Sequence, residues 1–124
     1  IAQYRLPVKL FIINNHYMGM VRQWQELLHG SRYSESYSDA LPDFVKLAES
    51  FHAKGLRATR MEELDDTIRA ALEHDGPVVV DLCVTEGENC FPMIPSGAAH
   101  NEMILGPDQE ERGAKVTREG MMLV

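Results

Sequence analysis

Long apolar runs, cysteines and surplus positive charge are all scarce in this sequence. No apolar stretch approaches the roughly 20 residues that a membrane-spanning helix requires. The two cysteines, Cys83 and Cys90, form no CxxC pair and have no histidine at zinc-finger spacing. We therefore expect two reduced thiols rather than a disulfide or a zinc site. The formal net charge of -7 argues against non-specific nucleic-acid binding, which depends on lysine and arginine.

The composition that remains is that of a soluble globular protein. Hydrophobic residues make up 44% of the 124 residues and charged residues 25%, which is enough for one domain with a core. Because Ile1 is not a usual initiator residue, we interpret the chain as a fragment or a processed piece.

Several signals converge on the paired asparagines Asn14 and Asn15. The apolar run at residues 8–13 predicts a strand buried on both faces of a parallel sheet. Apolar residues then recur on one helical face in residues 20–28, and Gly30 is placed to end that helix. A strand, a polar turn and a helix start often form a ligand-binding site. Ligands bind at the carboxyl ends of strands in open α/β sheets, and helix N-termini bind anions.

Two more helices and two more strands are predicted downstream. A second helix starts near Pro42, and a brief strand follows at residues 56–58. Thr59 and Glu62 form a capping-box pattern for a third helix, and residues 78–84 form the strongest strand pattern. The expected buried face of the third helix consists of Met61, Leu64, Ile68, Ala71 and Leu72. The order β, α, α, β, α, β predicts an α/β fold with three layers, a partial parallel sheet and flanking helices.

The periodicity is lost after residue 84. Residues 91–97 form a proline-flanked apolar loop, which we expect to cover another part of the protein. The domain prediction is one α/β portion at residues 1–105, followed by an irregular, flexible tail at residues 106–124.

The residues around the asparagine pair allow more than one interpretation by themselves. The pair could simply make a strand-to-helix turn in which Asn15 or Tyr17 caps the helix. Trp24, one turn after Met20, could simply pack against the core.

A set of short motifs occurs in an order that is typical of one enzyme family. These motifs are Asn14-Asn15, Gly19-Met20-Val21, Gln23-Trp24-Gln25, Pro42-Asp43-Phe44, Lys54-Gly55-Leu56, Gly76-Pro77-Val78 and Pro92-Met93-Ile94-Pro95-Ser96-Gly97. Over residues 4–105 the chain resembles the catalytic large subunit of the acetohydroxyacid synthase (acetolactate synthase) family. It is similar to the C-terminal part of the thiamine diphosphate-binding domain. The family's Gly-Asp-Gly motif, which precedes the asparagine pair and begins the cofactor motif, is missing.

The resemblance implies a cofactor site in the segment that follows Asn14. Its members are Asn15, His16, Tyr17, Met18, Gly19 and Met20. The Asn15 side chain and the Tyr17 main-chain oxygen would bind Mg²⁺, which prefers oxygen ligands. Residues 18–20 would present main-chain N–H groups to the diphosphate, and Gly19 would let the backbone approach closely. His16 lies in the segment, but imidazole is not a favoured magnesium ligand.

The resemblance also implies a substrate pocket. Val21 and Trp24 would face the second 2-ketoacid, and Ser96 and Gly97 would belong to a loop that folds over the substrate channel. No residue of this chain receives a catalytic role, because the family's activating glutamate comes from the N-terminal domain of a partner subunit.

The implied whole enzyme decarboxylates pyruvate on thiamine diphosphate. It joins the two-carbon unit to pyruvate or 2-ketobutyrate, giving acetolactate or acetohydroxybutyrate for branched-chain amino acid biosynthesis. The resemblance further implies FAD, a homodimer or tetramer of catalytic subunits, a regulatory small subunit and a cytoplasmic location, with neither nucleic acid nor membrane as partner. The isolated chain is expected to be inactive.

Two alternatives stay open from the sequence. The first is another thiamine diphosphate-dependent 2-ketoacid enzyme, such as a pyruvate oxidase, glyoxylate carboligase or 2-ketoacid decarboxylase, although Gln23-Trp24-Gln25 and residues 93–97 argue against it. The second is a non-catalytic folding or assembly unit, whose exposed sheet edge would drive self-association.

Overall fold

The computed structural model describes residues 1–107, in which the strands and helices follow the predicted order. The elements are β1 (Lys9–Asn14), α1 (Gly19–Leu28), α2 (Phe44–Ser50), β2 (Lys54–Ala58), α3 (Leu64–Glu73) and β3 (Val78–Cys83). Short 3-10 turns occupy Met61–Glu63 and His100–Glu102. Residues 108–124, most of the predicted tail, lie outside the described residues.

The three strands form a parallel sheet in the order β1-β3-β2. Lys9 pairs with Val78 at one end of the β1–β3 ladder, and Asn14 pairs with Cys83 at the other. Because all three strands run the same way, Asn14 lies at their carboxyl ends. The predicted α/β class with a partial parallel sheet is confirmed.

Helices cover both faces of the sheet. On one face, alternate residues of β3 pack with α3 in a cluster of Ala58, Ala71, Val78, Val80 and Leu82, joined by Leu56 and Leu64. On the other face, α2 packs so closely on β2 that a Cβ on Gly55 would lie 2.7 Å from the Val45 carbonyl oxygen. The arrangement therefore has the three predicted layers.

The strand β1 is more exposed than its apolar sequence predicts. It is the edge strand of the described sheet, and Leu10, Phe11 and Ile13 are 47%, 38% and 64% exposed. The expectation of burial on both faces is wrong for this strand, because an edge position leaves its side chains without neighbours on one side.

Helix faces also differ in detail from the prediction. In α1 the buried residue is Gln23, whereas Met20 and Val21 are exposed. In the third helical region Ala71 is buried, as expected, but Met61 and Leu72 lie in solvent. Apolar periodicity therefore predicts where a helix lies, but it does not predict which of its apolar residues are buried.

The capping carboxylate before α3 is Glu63, one residue after the predicted Glu62. Its Oε2 accepts from the Thr59 N–H at 3.0 Å and from the Arg60 N–H at 3.3 Å. A 3-10 turn at Met61–Glu63 precedes the helix, and this turn shifts the position of the capping group.

The described chain groups into two compact units. The first consists of Ile1–Tyr17 and Ser38–Gly87 and contains the sheet, α2 and α3. The second consists of Met18–Tyr37 and the described residues from Glu88 onward, and it contains α1. No helix within residues 1–107 is long and apolar enough to cross a membrane.

Candidate functional site

The asparagine pair forms two successive side-chain turns at the end of β1. The Asn14 Oδ1 accepts from the His16 N–H at 3.2 Å, and the Asn15 Oδ1 accepts from the Tyr17 N–H at 3.1 Å. Asparagine favours such turns because its short amide can reach the backbone two residues ahead. The pair therefore sets the path of the chain as it leaves the sheet.

His16 has an unusual backbone conformation in this turn. Its φ is +60°, in the left-handed region that non-glycine residues rarely occupy. The Ser38 N–H donates to the His16 carbonyl at 2.8 Å, which helps to hold this conformation. The returning loop thus supports the turn within the first compact unit.

Asn14 is anchored from the central strand. Its Nδ2 donates to Asp81 Oδ1 at 3.0 Å, and Arg57 Nε donates to Asp81 Oδ2 at 2.9 Å. Asn14 and Asp81 are only 8% and 2% exposed. Sequence reasoning missed Asp81, although one acidic residue inside an otherwise apolar central strand was the available signal.

The Asn15 amide oxygen suits a hard cation. Amide oxygens have two lone pairs, and the Tyr17 N–H uses one of those on Asn15. Within residues 1–107, histidine, cysteine, aspartate and glutamate form no group of three that could hold a metal ion. A magnesium site here would have to use amide and carbonyl oxygens with ligands from elsewhere.

In the second unit, α1 begins without a side-chain cap. Its N-cap is Met18, which makes no capping side-chain bond, so the cap position is occupied neither by Asn15 nor by Tyr17. The Met18 N–H donates to the Ser36 carbonyl at 2.8 Å. The N–H groups of Gly19 and Met20 lie in the first turn, where a helix offers no internal acceptor.

Val21 and Trp24, both predicted substrate residues, line one groove in the second unit. This groove has a volume of about 640 Å³ and is also lined by Met20, Gln25, His29 and Arg32. Its lining within the described chain does not include Ser96 or Gly97. Those two residues lie in an exposed loop, which is closed by two hydrogen bonds between Met93 and Ile104 at 2.9 and 2.7 Å.

Gln23 is a second residue that sequence reasoning missed. Its side chain is 2% exposed, and its Nε2 donates to the Cys90 carbonyl at 3.0 Å. Its Oε1 accepts from the Cys90 N–H at 2.7 Å. The amide therefore fastens the start of the loop that carries Ser96 and Gly97.

Cys83 does not have the surroundings of a reactive thiol. Desolvation by burial raises its pKa, the Asp81 charge raises it further, and Arg57 opposes this only in part. Because the thiolate is the nucleophilic form, Cys83 is poorly suited to covalent catalysis at neutral pH.

Comparison with known proteins points to one cofactor. The family model described as "Thiamine pyrophosphate enzyme, C-terminal TPP binding domain" matches residues 1–82. The acetolactate synthase large subunit of Pyropia yezoensis is 46% identical over 114 residues, covering 91% of this chain and 19% of that protein. Isozyme 2 of the Escherichia coli large subunit is 38% identical over 100 residues, covering 81% and 18%. The chain thus spans about a fifth of these relatives.

A solved structure supports the same fold. The thiamine diphosphate-dependent 4-hydroxybenzoylformate decarboxylase of Rhodococcus jostii RHA1 matches with a TM-score of 0.61 and 27% sequence identity. The match covers 68% of this chain and 16% of that one.

Proposed function

The chain belongs to the thiamine pyrophosphate (thiamine diphosphate) enzymes, as a C-terminal TPP-binding domain, and from this we propose that it is part of an acetolactate synthase large subunit. The whole subunit would decarboxylate pyruvate and join the two-carbon unit to a second 2-ketoacid. The observation that carries the proposal is the polar turn at the carboxyl end of β1, which is followed directly in the chain by α1.

The first role that we propose is magnesium binding by Asn15 and Tyr17. The Asn15 Oδ1 and the Tyr17 main-chain oxygen are the hard oxygen donors that Mg²⁺ prefers. The Tyr17 N–H holds the Asn15 amide in one orientation through a 3.1 Å hydrogen bond. Both ligands would therefore be set by the same turn before the metal arrives.

The second role is diphosphate binding at the start of α1. The Met18 N–H already donates to the Ser36 carbonyl. The donors to the diphosphate would therefore be the N–H groups of Gly19 and Met20. Met18 would line the site, and His16 would contribute its left-handed backbone rather than its imidazole.

Thiamine diphosphate, when bound, supplies the carbanion chemistry of 2-ketoacid decarboxylation. The residues of this chain would bind and orient it. Val21 and Trp24 line an apolar groove, which suits the alkyl group of an incoming pyruvate or 2-ketobutyrate. Ser96 and Gly97 would contribute through the loop that begins at Cys90.

The remaining features of the proposal belong to the full-length protein. They are FAD, a homodimer or tetramer of catalytic subunits, a regulatory small subunit and a cytoplasmic location. They rest on the similarity to acetolactate synthase large subunits.

A second candidate is a 2-ketoacid decarboxylase that forms no new carbon–carbon bond. The structural match to a 4-hydroxybenzoylformate decarboxylase favours it. The higher identity to acetolactate synthases, over more of the chain, supports the first candidate.

A product assay separates the two candidates. The full-length polypeptide that contains this chain is incubated with pyruvate, Mg²⁺, thiamine diphosphate and FAD. Acetolactate as the main product supports the proposal. Acetaldehyde without acetolactate would favour the decarboxylase, and the absence of pyruvate consumption would reject both.

A further inference from the structure

A line of side-chain hydrogen bonds runs across one face of the sheet and ends at the turn after β1. It starts at Asp43, which caps α2 by accepting from the Val45 and Lys46 N–H groups. Arg57 donates to Asp43 at 2.9 Å and to Asp81 at 2.9 Å. Asn14 in turn donates to Asp81, and the His16 N–H donates to Asn14.

Asp81 is the buried centre of this line. Each of its two oxygens accepts from a different partner, Asn14 or Arg57. The hydrogen bond to Asp81 is the main factor that raises the pKa of Arg57 above its ordinary value.

Stability alone does not account for such a group. The Arg57 side chain is 38% exposed, and an ion pair with an exposed partner typically contributes only about 0–1 kcal/mol. The nearest β3 residues on the same face of the sheet as Asp81 are Val79 and Cys83, which are two positions away and are not acidic. A carboxylate at position 81 therefore needs a reason beyond the packing of the sheet.

The carboxylate fixes the orientation of the Asn14 amide. With Nδ2 directed to Asp81, the Oδ1 of Asn14 faces the His16 N–H and accepts from it. If the amide rotated by half a turn, its NH₂ group would face that N–H, and two donors would oppose each other. Asp81 thus favours the one rotamer that supports the turn.

We propose that Asp81 is a positioning residue for the magnesium-binding turn, acting through the Asn14 amide on the backbone of residues 16 and 17. Asp81 itself would not touch the metal. The inference rests on the proposed function, since it requires Asn15 and Tyr17 to be magnesium ligands. It places the control of ligand geometry on a central strand, at a residue 67 positions from Asn14 along the chain.

The first test is Asp81→Asn in the full-length polypeptide. The new amide at position 81 can accept from Arg57, but its NH₂ group then faces the Asn14 NH₂ group. Asn14 must rotate or lose the bond, and the mismatch passes to the His16 N–H. We expect the magnesium concentration for half-maximal thiamine diphosphate binding to rise by about 10-fold, the low end of the range for direct partners of metal ligands, because Asp81 acts through Asn14 and not on a ligand itself.

The second test exchanges the two groups in Asn14→Asp/Asp81→Asn. The carboxylate at position 14 can accept from both the His16 N–H and the amide at position 81, and that amide's oxygen can accept from Arg57. The hydrogen bond between positions 14 and 81 is thereby restored with donor and acceptor reversed, and the bonds from the His16 N–H and from Arg57 keep their direction. We expect this variant to regain magnesium affinity, which a purely structural requirement for aspartate at position 81 would not allow.

Two further variants serve as controls. Asp66→Asn makes the same substitution in an exposed ion pair with Arg69 and should leave magnesium affinity unchanged. Asn15→Ala removes a proposed ligand and should weaken it. The melting temperature of the metal-free protein is measured for each variant, so that loss of fold and loss of ligand geometry are distinguished.

The outcomes separate the inference from the proposed function. Weaker binding in Asp81→Asn with recovery in the exchange variant supports the inference. Unchanged binding in Asp81→Asn beside weakened binding in Asn15→Ala overturns the inference alone, as does a loss that the exchange does not repair. Unchanged binding in Asn15→Ala overturns the proposed magnesium role and the inference with it.

The exchange variant carries the test if Asp81→Asn does not fold. Magnesium affinity near the wild-type value then supports the inference, because positioning requires a complementary pair and not aspartate itself. An affinity as low as that of Asn15→Ala overturns it.

Discussion

The Gln23 amide and the main chain of Cys90 form a two-point hydrogen bond, in which the side chain both donates and accepts. Gln23 is the buried residue of α1. One helical residue therefore fixes the point at which the irregular C-terminal loop begins.

Gln23→Leu should release this loop. The substitution replaces the amide by methyl groups on a side chain of similar size and leaves the Cys90 N–H and carbonyl without the Gln23 partner. Because Cys90 is exposed and water can replace the lost partner, the free energy of unfolding should fall by only about 0.5–1.5 kcal/mol, the net contribution of a typical hydrogen bond. Hydrogen exchange at the Cys90 amide should also accelerate.

The matched control for this prediction is Gln3→Leu, at an exposed position. It should change neither the free energy of unfolding nor exchange at Cys90. Equal exchange rates at Cys90 in the wild type and in Gln23→Leu would show that the loop is held by other contacts.

Gly55→Ala should destabilise the contact between α2 and β2. The added methyl would lie 2.7 Å from the Val45 carbonyl oxygen and 2.8 Å from its Cα, so backbone must move. Overpacking of this kind typically costs about 1–3 kcal/mol. Chemical denaturation measures the loss. Gly106→Ala, where a Cβ meets nothing within 4 Å, should lack this steric penalty, and equal losses in the two variants would contradict the account.

Glu63 should contribute to stability in a defined pH range. Hydrogen bonds from the Thr59 N–H first, and then from the Arg60 side chain, lower its pKa from the ordinary value of 4.5 to about 2. A carboxyl with a lowered folded-state pKa stabilises the fold above its unfolded pKa, and this contribution is lost as the pH falls through the folded value.

The corresponding experiment compares Glu63→Gln with the wild type from pH 7 to pH 2. The difference in free energy of unfolding should be constant above about pH 4.5 and should shrink between pH 4.5 and about 2. Glu62→Gln, at the exposed neighbouring position, controls for the charge change. A difference that does not depend on pH would contradict the capping role of Glu63.

The fold was largely predictable because it rests on local patterns. The apolar run at residues 78–84 and the turn residues around Pro42 and Gly76 located β3 and the helix boundaries to within a few residues. Local patterns carry less information about the depth of burial. Leu10 and Ile13 look like core residues in sequence, but they lie on an edge strand.

The missed residues share one property, which is that their partners are distant in the sequence. Asn14 and Asp81 are 67 positions apart, and so are Gln23 and Cys90. The role of a buried polar side chain depends on its hydrogen-bond partner, and a short sequence motif does not identify a partner that lies far away in the chain. The asparagine pair was identified, but the carboxylate that orients Asn14 could be found only from the folded chain.

The central claim is that the turn after β1 binds the magnesium ion of thiamine diphosphate through Asn15. The most direct measurement is the affinity of the full-length polypeptide for thiamine diphosphate as a function of Mg²⁺ concentration, compared between the wild type, Asn15→Ala and the exposed control Asn101→Ala. We predict that Asn15→Ala alone requires more Mg²⁺ for half-maximal binding. Identical magnesium dependence in all three proteins would contradict the claim.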